Sequence, residues 1–452
     1  MTAHRPPSVR GVWNLAYPLL IAGLTQITLN IVDTVLLARL STDALGAFAL
    51  AAPVYLIALI VVRGWSTAVQ VQVAQRHGAG RPDEVAQVVR TGVFTALGAG
   101  VAVGTVLYAA ATPVLVLLGA PDDVLDQGTT YLRVLAWAVP FAAVSFTLQG
   151  ACAGIGATRV AMYHALLVNL VNLPLGLLLI FRADLGVTGA ALATLAATAA
   201  GTGYLLLYGR SRLPRAAPGA GDTRDIRRAL WRIGWPEMST MGIGYLNEAL
   251  LAGFAARMGT LDLAAYRIVD NLLLVVFTVL ASGASAVTIL AGQELGSGDR
   301  ERADAWHRCG ARLLLLFLAV PATLTLTLGR PLISLVTSDP AVAELAWRAT
   351  PLALLSMAPM VPAMSRGALL RAAGDTRALM IASVTSDYVL LIPLGWLLGL
   401  HTGLGLPGLY LAWTAFAVLY AVLVHARYRR RFEPTSPSKG AHVDPVDEQH
   451  LG

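Results

Sequence analysis

The sequence predicts an all-α integral membrane protein, with twelve transmembrane helices in two six-helix, pseudo-symmetric lobes that are parallel repeats of one another. Three observations predict this. Hydrophobic residues make up 56% of the chain, charged residues only 13%, and the mean hydropathy is +0.66, whereas a soluble domain is about one quarter charged. The apolar residues fall into runs long enough to cross a bilayer as helices, without the period-two alternation of barrel strands. The second half of the chain repeats the first in register.

In order, the apolar segments lie at 11–38, 46–75, 87–118, 129–155, 158–181 and 186–209. Residues 209–228, GRSRLPRAAPGAGDTRDIRR, are rich in Arg, Pro and Gly and read as the one linker. Six more segments follow at 229–257, 262–293, 306–336, 343–371, 377–400 and 405–427. The expected organisation is an N-lobe over 1–208, a cytoplasmic linker over 209–228, a C-lobe over 229–431 and a polar cytoplasmic tail over 432–452. The first segment is too long for a signal-peptide core and lacks a clear small-residue cleavage site, so it reads as a retained helix.

Pro18 and Pro236 set an offset of 218 residues, which also pairs Gln75, Gly78 and Gly80 with Gln293, Gly296 and Gly298, and Gly156, Thr158 and Arg159 with Gly374, Thr376 and Arg377. Towards the end of each half the register slips by one residue, so that Pro174 and Gly176 meet Pro393 and Gly395. With six helices per half, both repeats enter the membrane from one side, which makes them parallel. Arginines gather in alternate loops and at both ends of the chain, while the intervening loops are acidic or neutral. The positive-inside rule then expects both termini in the cytoplasm. The formal charge of +7 is a topology signal, and no nucleic-acid partner is expected. Abundant Arg and Ala beside scarce Lys point to a bacterial source, hence the inner membrane.

The first segment, Pro18 to Arg39, carries a carboxylate, Asp33. A charge within a span costs on the order of 3 kcal/mol or more to insert, so it reads as functional. Gln26, Asn30 and Asp33 stand at i, i+4 and i+7 and share a helix face, lined up towards a substrate cavity. A buried carboxylate can load and release a proton near neutral pH. Pro18 removes one helical hydrogen bond and is a candidate hinge. Arg63 in the second segment is placed to hold Asp33 ionised in one state, or to pair with it structurally. Asn169 and Asn172 share a face of the fifth segment, where amides are costly unless bonded. Tyr131 and Gln149 in the fourth segment are weaker cavity candidates. The C-half adds Glu248, with Tyr245 one turn before it, Asp270, one turn after Arg267, and Asp387. Arg267 and Asp270 could simply neutralise each other.

Other signals are bland. The glycine-rich GAGVAVGTV at 98–106 has no following Gly-Lys and reads as helix packing. Eight His without ligand spacing and two isolated Cys, Cys152 and Cys309, offer neither a metal site nor a disulfide framework. No nucleophile motif appears, so an enzyme is not expected, and no cofactor is expected beyond the proton that a buried carboxylate can carry.

IVDTVLLARLSTDALGAFALA after Pro18, the GAGRPDEV loop, the internal two-fold and GALLRAAGDTRA together resemble the multidrug and toxic compound extrusion (MATE) family. VVRGWSTA, with Arg63, resembles its DNA-damage-inducible (DinF) branch. The resemblance covers 11 to about 430 and implies a V-shaped bundle, working as a monomer in the lipid bilayer. It implies export of organic cations or amphipathic toxins by antiport, with alternating access and a coupling ion, H+ or alternatively Na+. It also implies a coupling-ion role for Asp33 and a bending role for Pro18. The family's second acid in the fifth helix falls at Leu173 and is absent. Glu248 matches the helix-seven glutamate of the Na+-coupled NorM branch, whose usual partner acid falls near Met360 and is missing. Two alternatives stay open: Na+ coupling through Glu248, and a lipid-linked saccharide flippase of the same superfamily, which would want a strongly cationic cavity.

Overall fold

The computed structural model describes residues 6–214 and 223–433. In the first half these form α1 (Val9–Leu40), α2 (Thr42–Gly78), α3 (Pro82–Leu117), α4 (Asp122–Ala136), α5 (Ala138–Gly154), α6 (Arg159–Leu177) and α7 (Gly186–Arg212). The second half holds α8 (Thr223–Met258), α9 (Thr260–Gly296), α10 (Arg300–Val336), α11 (Pro340–Met357), α12 (Met360–Ala372), α13 (Thr376–Ser386), α14 (Ile392–Leu400) and α15 (Leu406–Phe432). Two π-helical turns, Leu178–Arg182 and Asp387–Leu391, continue α6 and join α13 to α14. There is no strand among the described residues. Residues 215–222 of the expected linker and all of the tail from 434 lie outside the described residues.

The spans follow from local chemistry. Ser8, Ser41, Asp299 and Asp339 cap helix starts by accepting backbone N–H bonds. Ten helical stretches are long and apolar enough to cross a membrane, and the pair α4–α5, bent by 44°, makes eleven among the described residues. The bend falls at Trp137 because Pro140 cannot bond back to Ala136. The twelfth span is α8, equal in length but studded with charge, from Arg224 to Arg257. Twelve spans in two related halves are the architecture the composition and repeat predict. Large apolar side chains stay uncovered along the spans, Leu170 and Leu117 among them, as the lipid-facing surface of such a bundle requires.

The repeat is visible in the backbone. Gly80 and Gly298 end the loops after α2 and α9 with φ of 69° and 88°, and Gly156 and Gly374 do the same after α5 and α12 with 86° and 75°. These four turns use the left-handed region that glycine alone enters freely.

The core divides into two main apolar clusters, one per half, with an exchange between them. Val12 and Ala16 of α1 belong to the core of the second half. Ile226, Leu230 and Ile233 of α8 belong to the core of the first. Pro18 and Pro236 follow these crossed turns directly. Beyond the prolines the helices still touch the other half, α1 at Gly23 against Thr278 of α9 and α8 at Met238 against Gly64 of α2.

The lobes meet most tightly at the face that carries both chain ends. A Cβ on Gly78 would run into the Gln293 carbonyl, and one on Gly296 into the Gln75 carbonyl. Around this crossing, Gln75 Nε2 donates to the Ala372 carbonyl at 2.6 Å and Gln293 Nε2 to the Gly154 carbonyl at 2.9 Å. Gln70 Nε2 adds a bond to Ser285 Oγ at 3.3 Å, again between α2 and α9. The glycine-rich stretch of α3 packs as expected: Gly100 and Gly104 lie against the backbone of Pro140 and Ala136, too close for side chains.

Candidate functional site

In the first half the polar face of α1 is built by helical spacing. Gln26 and Asn30 are exposed and Asp33 is half-buried. The Tyr131 hydroxyl of α4 lies within electrostatic reach of Asp33 and of Tyr55 on α2. Its ring is buried and meets Phe48 edge-on at 5.9 Å. Asp33, Tyr131 and Tyr55 therefore form one polar group inside the lobe. Tyr55 was not visible as a site residue in the sequence, since a single tyrosine in an apolar run carries no periodic signal.

Among the described residues no arginine or histidine lies within ion-pair distance of Asp33. This corrects the expected pairing with Arg63. The Arg63 guanidinium sits over the Phe146 ring, 5.7 Å from its centroid, and interacts electrostatically with Tyr245 of α8. Arg63 thus reaches across to the other lobe, because the crossing of α2 and α8 turns its face away from α1.

The two asparagines of α6 part company. Asn169 Nδ2 donates to the Ala165 carbonyl of its own helix at 3.0 Å. Asn172 is buried and donates to Thr194 Oγ1 of α7 at 3.1 Å, while its Oδ1 has no partner. Gln149 on α5 is half-buried.

In the second half, Glu248 of α8 gathers the expected residues around it. Tyr266 of α9 donates its hydroxyl to Glu248 Oε1 at 3.2 Å, and Arg267 Nη1 stands 3.6 Å from the same oxygen. Asp270, one turn further along α9, lies beside Glu248. Tyr410 of α15 stacks on Tyr266 with ring centroids 6.4 Å apart, and its buried hydroxyl is without a partner. The expected mutual neutralisation of Arg267 and Asp270 is therefore incomplete: Arg267 forms its ion pair with Glu248, and the two acids share one proton-sized problem. No acid stands at Met360, and the second acid near Glu248 is Asp270, on the neighbouring helix. Tyr266 and Tyr410 went unnoticed in the sequence because they come from helices far apart in the chain.

Asp387 stands apart from that group. It is buried at the start of the second π-helical turn, where Ser383 Oγ donates to its Oδ2 at 3.4 Å. Pro18 is buried in α1. No cluster of three or more His, Cys, Asp or Glu is arranged for a metal among the described residues.

Two related six-helix lobes with carboxylates inside their spans define a multi-pass membrane protein built like a secondary transporter. The MatE family model matches residues 18–178 and 238–397, one block in each half. The chain belongs to the MatE family. Its fold is that of solved relatives at low identity. It matches an outward-facing multidrug resistance MATE family transporter of the MOP superfamily at 18% identity, over 95% of this chain and 96% of that one, with a TM-score of 0.88. It matches the Vibrio cholerae MATE transporter VcmN in the bent form at 21% identity, over 93% and 96%, with a TM-score of 0.84. A MOP superfamily transporter from Pyrococcus furiosus Vc1, described as having a binding pocket of reverse polarity that suggests a different function, matches at 18% identity over 95% and 96%, with a TM-score of 0.86.

Proposed function

We propose that this MatE-family protein is a secondary active exporter of organic cations or amphipathic compounds, an antiporter driven by H+ with Asp33 as its coupling carboxylate. The observation that carries this reading is Asp33 itself: a carboxylate inside a span, beside Tyr131 and Tyr55, with no basic partner among the described residues. Such a group is neutral with a proton bound and anionic without one, so proton and cationic cargo compete for a single negative charge. Exchange follows when the two occupants favour different lobe arrangements. Pro18 and Pro236, at the crossed turns of α1 and α8, are suited to act as the hinges. The basic alternate loops favour a bacterial inner membrane with both termini cytoplasmic.

A second reading has its own observation. Glu248 and Asp270 lie side by side, with Tyr266 donating to Glu248, a two-acid oxygen cluster that suits Na+. A saccharide-pyrophosphate flippase is disfavoured by acids in both lobes. The DinF-like assignment rests on Arg63 alone. Reconstituted efflux of a fluorescent organic cation, with pH and Na+ gradients set independently, separates the readings. Transport that follows the Na+ gradient at fixed pH overturns H+ coupling, and transport by neither gradient overturns antiport.

A further inference from the structure

The second π-helical turn marks a site of its own. The repeat register that pairs Arg159 with Arg377 puts Asp387 opposite Asn169, and by Pro174 and Pro393 the register has slipped by one residue. One inserted residue in a helix is absorbed by a wider, π-type turn, and such turns concentrate at functional positions. The turn Asp387–Leu391 falls inside that interval. The C-half therefore holds an acid, on an inserted turn, where the N-half holds an amide bonded to its own helix.

Asp387 is 5% exposed and Asn247 of α8 is 3% exposed. The Asn247 amide lies beside the Asp387 carboxylate, placed to donate its N–H to a charged carboxylate or to accept from a protonated one, and in this structure neither amide atom completes a hydrogen bond. Ser383 supplies one hydroxyl from α13. From α15, Tyr420 lies within electrostatic reach of Asp387 and of the Glu237–Arg371 ion pair, closed at 2.8 Å between α8 and α12. Among the described residues no cation lies within ion-pair distance of Asp387 itself. A buried carboxylate with no counter-charge is held by taking up a proton, and a buried amide oxygen without a donor has an unmet bond. One proton answers both needs.

We propose that Asp387 is a second proton-binding site, in which the protonated carboxyl donates to Asn247 Oδ1. Tyr420 and Glu237 then form a polar line from that site towards the face that carries the chain ends. Asn247 and Glu248 are neighbours in the chain but serve different sides of α8: Glu248 faces α9, and Asn247 faces α13. Loss of the Asp387 proton leaves a bare charge against α8, so the state of this site bears on the helix that also carries the Glu248 cluster. The role in transport rests on the exporter reading above; proton binding does not.

The test is infrared difference spectroscopy of the intact protein in lipid vesicles, stepped from acidic to alkaline pH. The expected result is a carbonyl band of a buried carboxylic acid that vanishes on the step. Asp387→Asn abolishes the band, while Asp387→Glu and Asn247→Leu move it, and Asp33→Asn leaves it in place. An unchanged carboxylic-acid region in Asp387→Asn overturns the proposal. A band that Na+ removes at fixed pH overturns it in favour of a Na+ site. A band that Asn247→Leu leaves unmoved overturns the Asp387–Asn247 bond. A wild-type protein that shows the band but exports nothing sinks the exporter reading alone.

Discussion

Asp33 differs from the protein's other membrane acids in what surrounds it. Glu248 has Arg267 and Tyr266 close by, whereas Asp33 has the Tyr131 hydroxyl of α4, itself near Tyr55 of α2, and no basic group within ion-pair distance among the described residues. Substitution by asparagine keeps the shape and removes the titration. The Asp33→Asn protein is expected to fold and express normally and to lose proton-driven efflux of an organic cation by at least about tenfold, the loss expected from about 1.4 kcal/mol of coupling. Unchanged drug resistance in cells expressing it excludes Asp33 as the coupling group. If Glu248 and Asp270 form an auxiliary site, Glu248→Gln lowers Na+-dependent transport while leaving the H+-driven component. Equal loss of both components counts against separate sites. Asp33 was legible in the sequence because one charge in an apolar run needs no neighbour to be noticed. Tyr131 was a candidate from its place in the fourth segment; Tyr55, Tyr266 and Tyr410 gain meaning only from what they touch.

At the scale of elements, two glycines decide how closely α2 and α9 can cross. Gly78 and Gly296 each face a backbone carbonyl of the partner helix, and backbone cannot swing aside as a flexible side chain does. Gly296→Val is expected to wedge this face open. Spin labels on α2 and α9 near the crossing should report a longer distance, with efflux lost in a protein that still folds; an unchanged distance refutes the wedge. A second element-level device lies at the end of α15. Asp375, between α12 and α13, accepts from Arg427 Nε at 2.7 Å and stands 2.9 Å from Arg431 Nη1. Burial acts to raise its carboxyl, but the hydrogen bonds and charges of Arg427 and Arg431 outweigh it and hold it below the usual carboxylate range. A lowered value means the stabilisation is complete above the ordinary carboxylate pKa of about 3.9 and lost as pH falls through the lowered one. The melting temperature of Asp375→Asn should therefore lie below wild type at neutral pH. The gap should close only in strong acid, and a gap that closes already at mildly acidic pH contradicts this.

For the whole molecule, the two-fold is both a frame and a source of difference. The lobes share their prolines, their glycine turns and the α2–α9 crossing, yet their acids sit at different positions: Asp33 has Leu251 as its repeat mate, and Glu248 has Asn30. Rocking of two lobes needs a contact that can open. On the exporter reading, the contact expected to open is the dense one at the face where α1 begins and α15 ends, made of glutamine-to-carbonyl bonds and helix crossings. Cysteine pairs placed across the α2–α9 crossing should form a disulfide and halt transport reversibly. Full transport with the disulfide formed argues that this face does not open.

By itself the sequence determined the class of solvent, the span count, the parallel repeat and the most conspicuous acid. Each of these is a property of local composition or of register along one chain. The extra residue between Arg377 and Pro393 was readable as a slip in register; its form as a π-helical turn at Asp387 was not. Only the tertiary structure decided which groups meet. It took Arg63 away from Asp33 and gave it Phe146 and Tyr245, brought Asp270 to Glu248, and crossed the first turns of α1 and α8 into each other's cores. The reason is geometric. A helix fixes which residues share a face, but the partner of that face is set by how helices distant in the chain pack, and an apolar run carries no record of its neighbour.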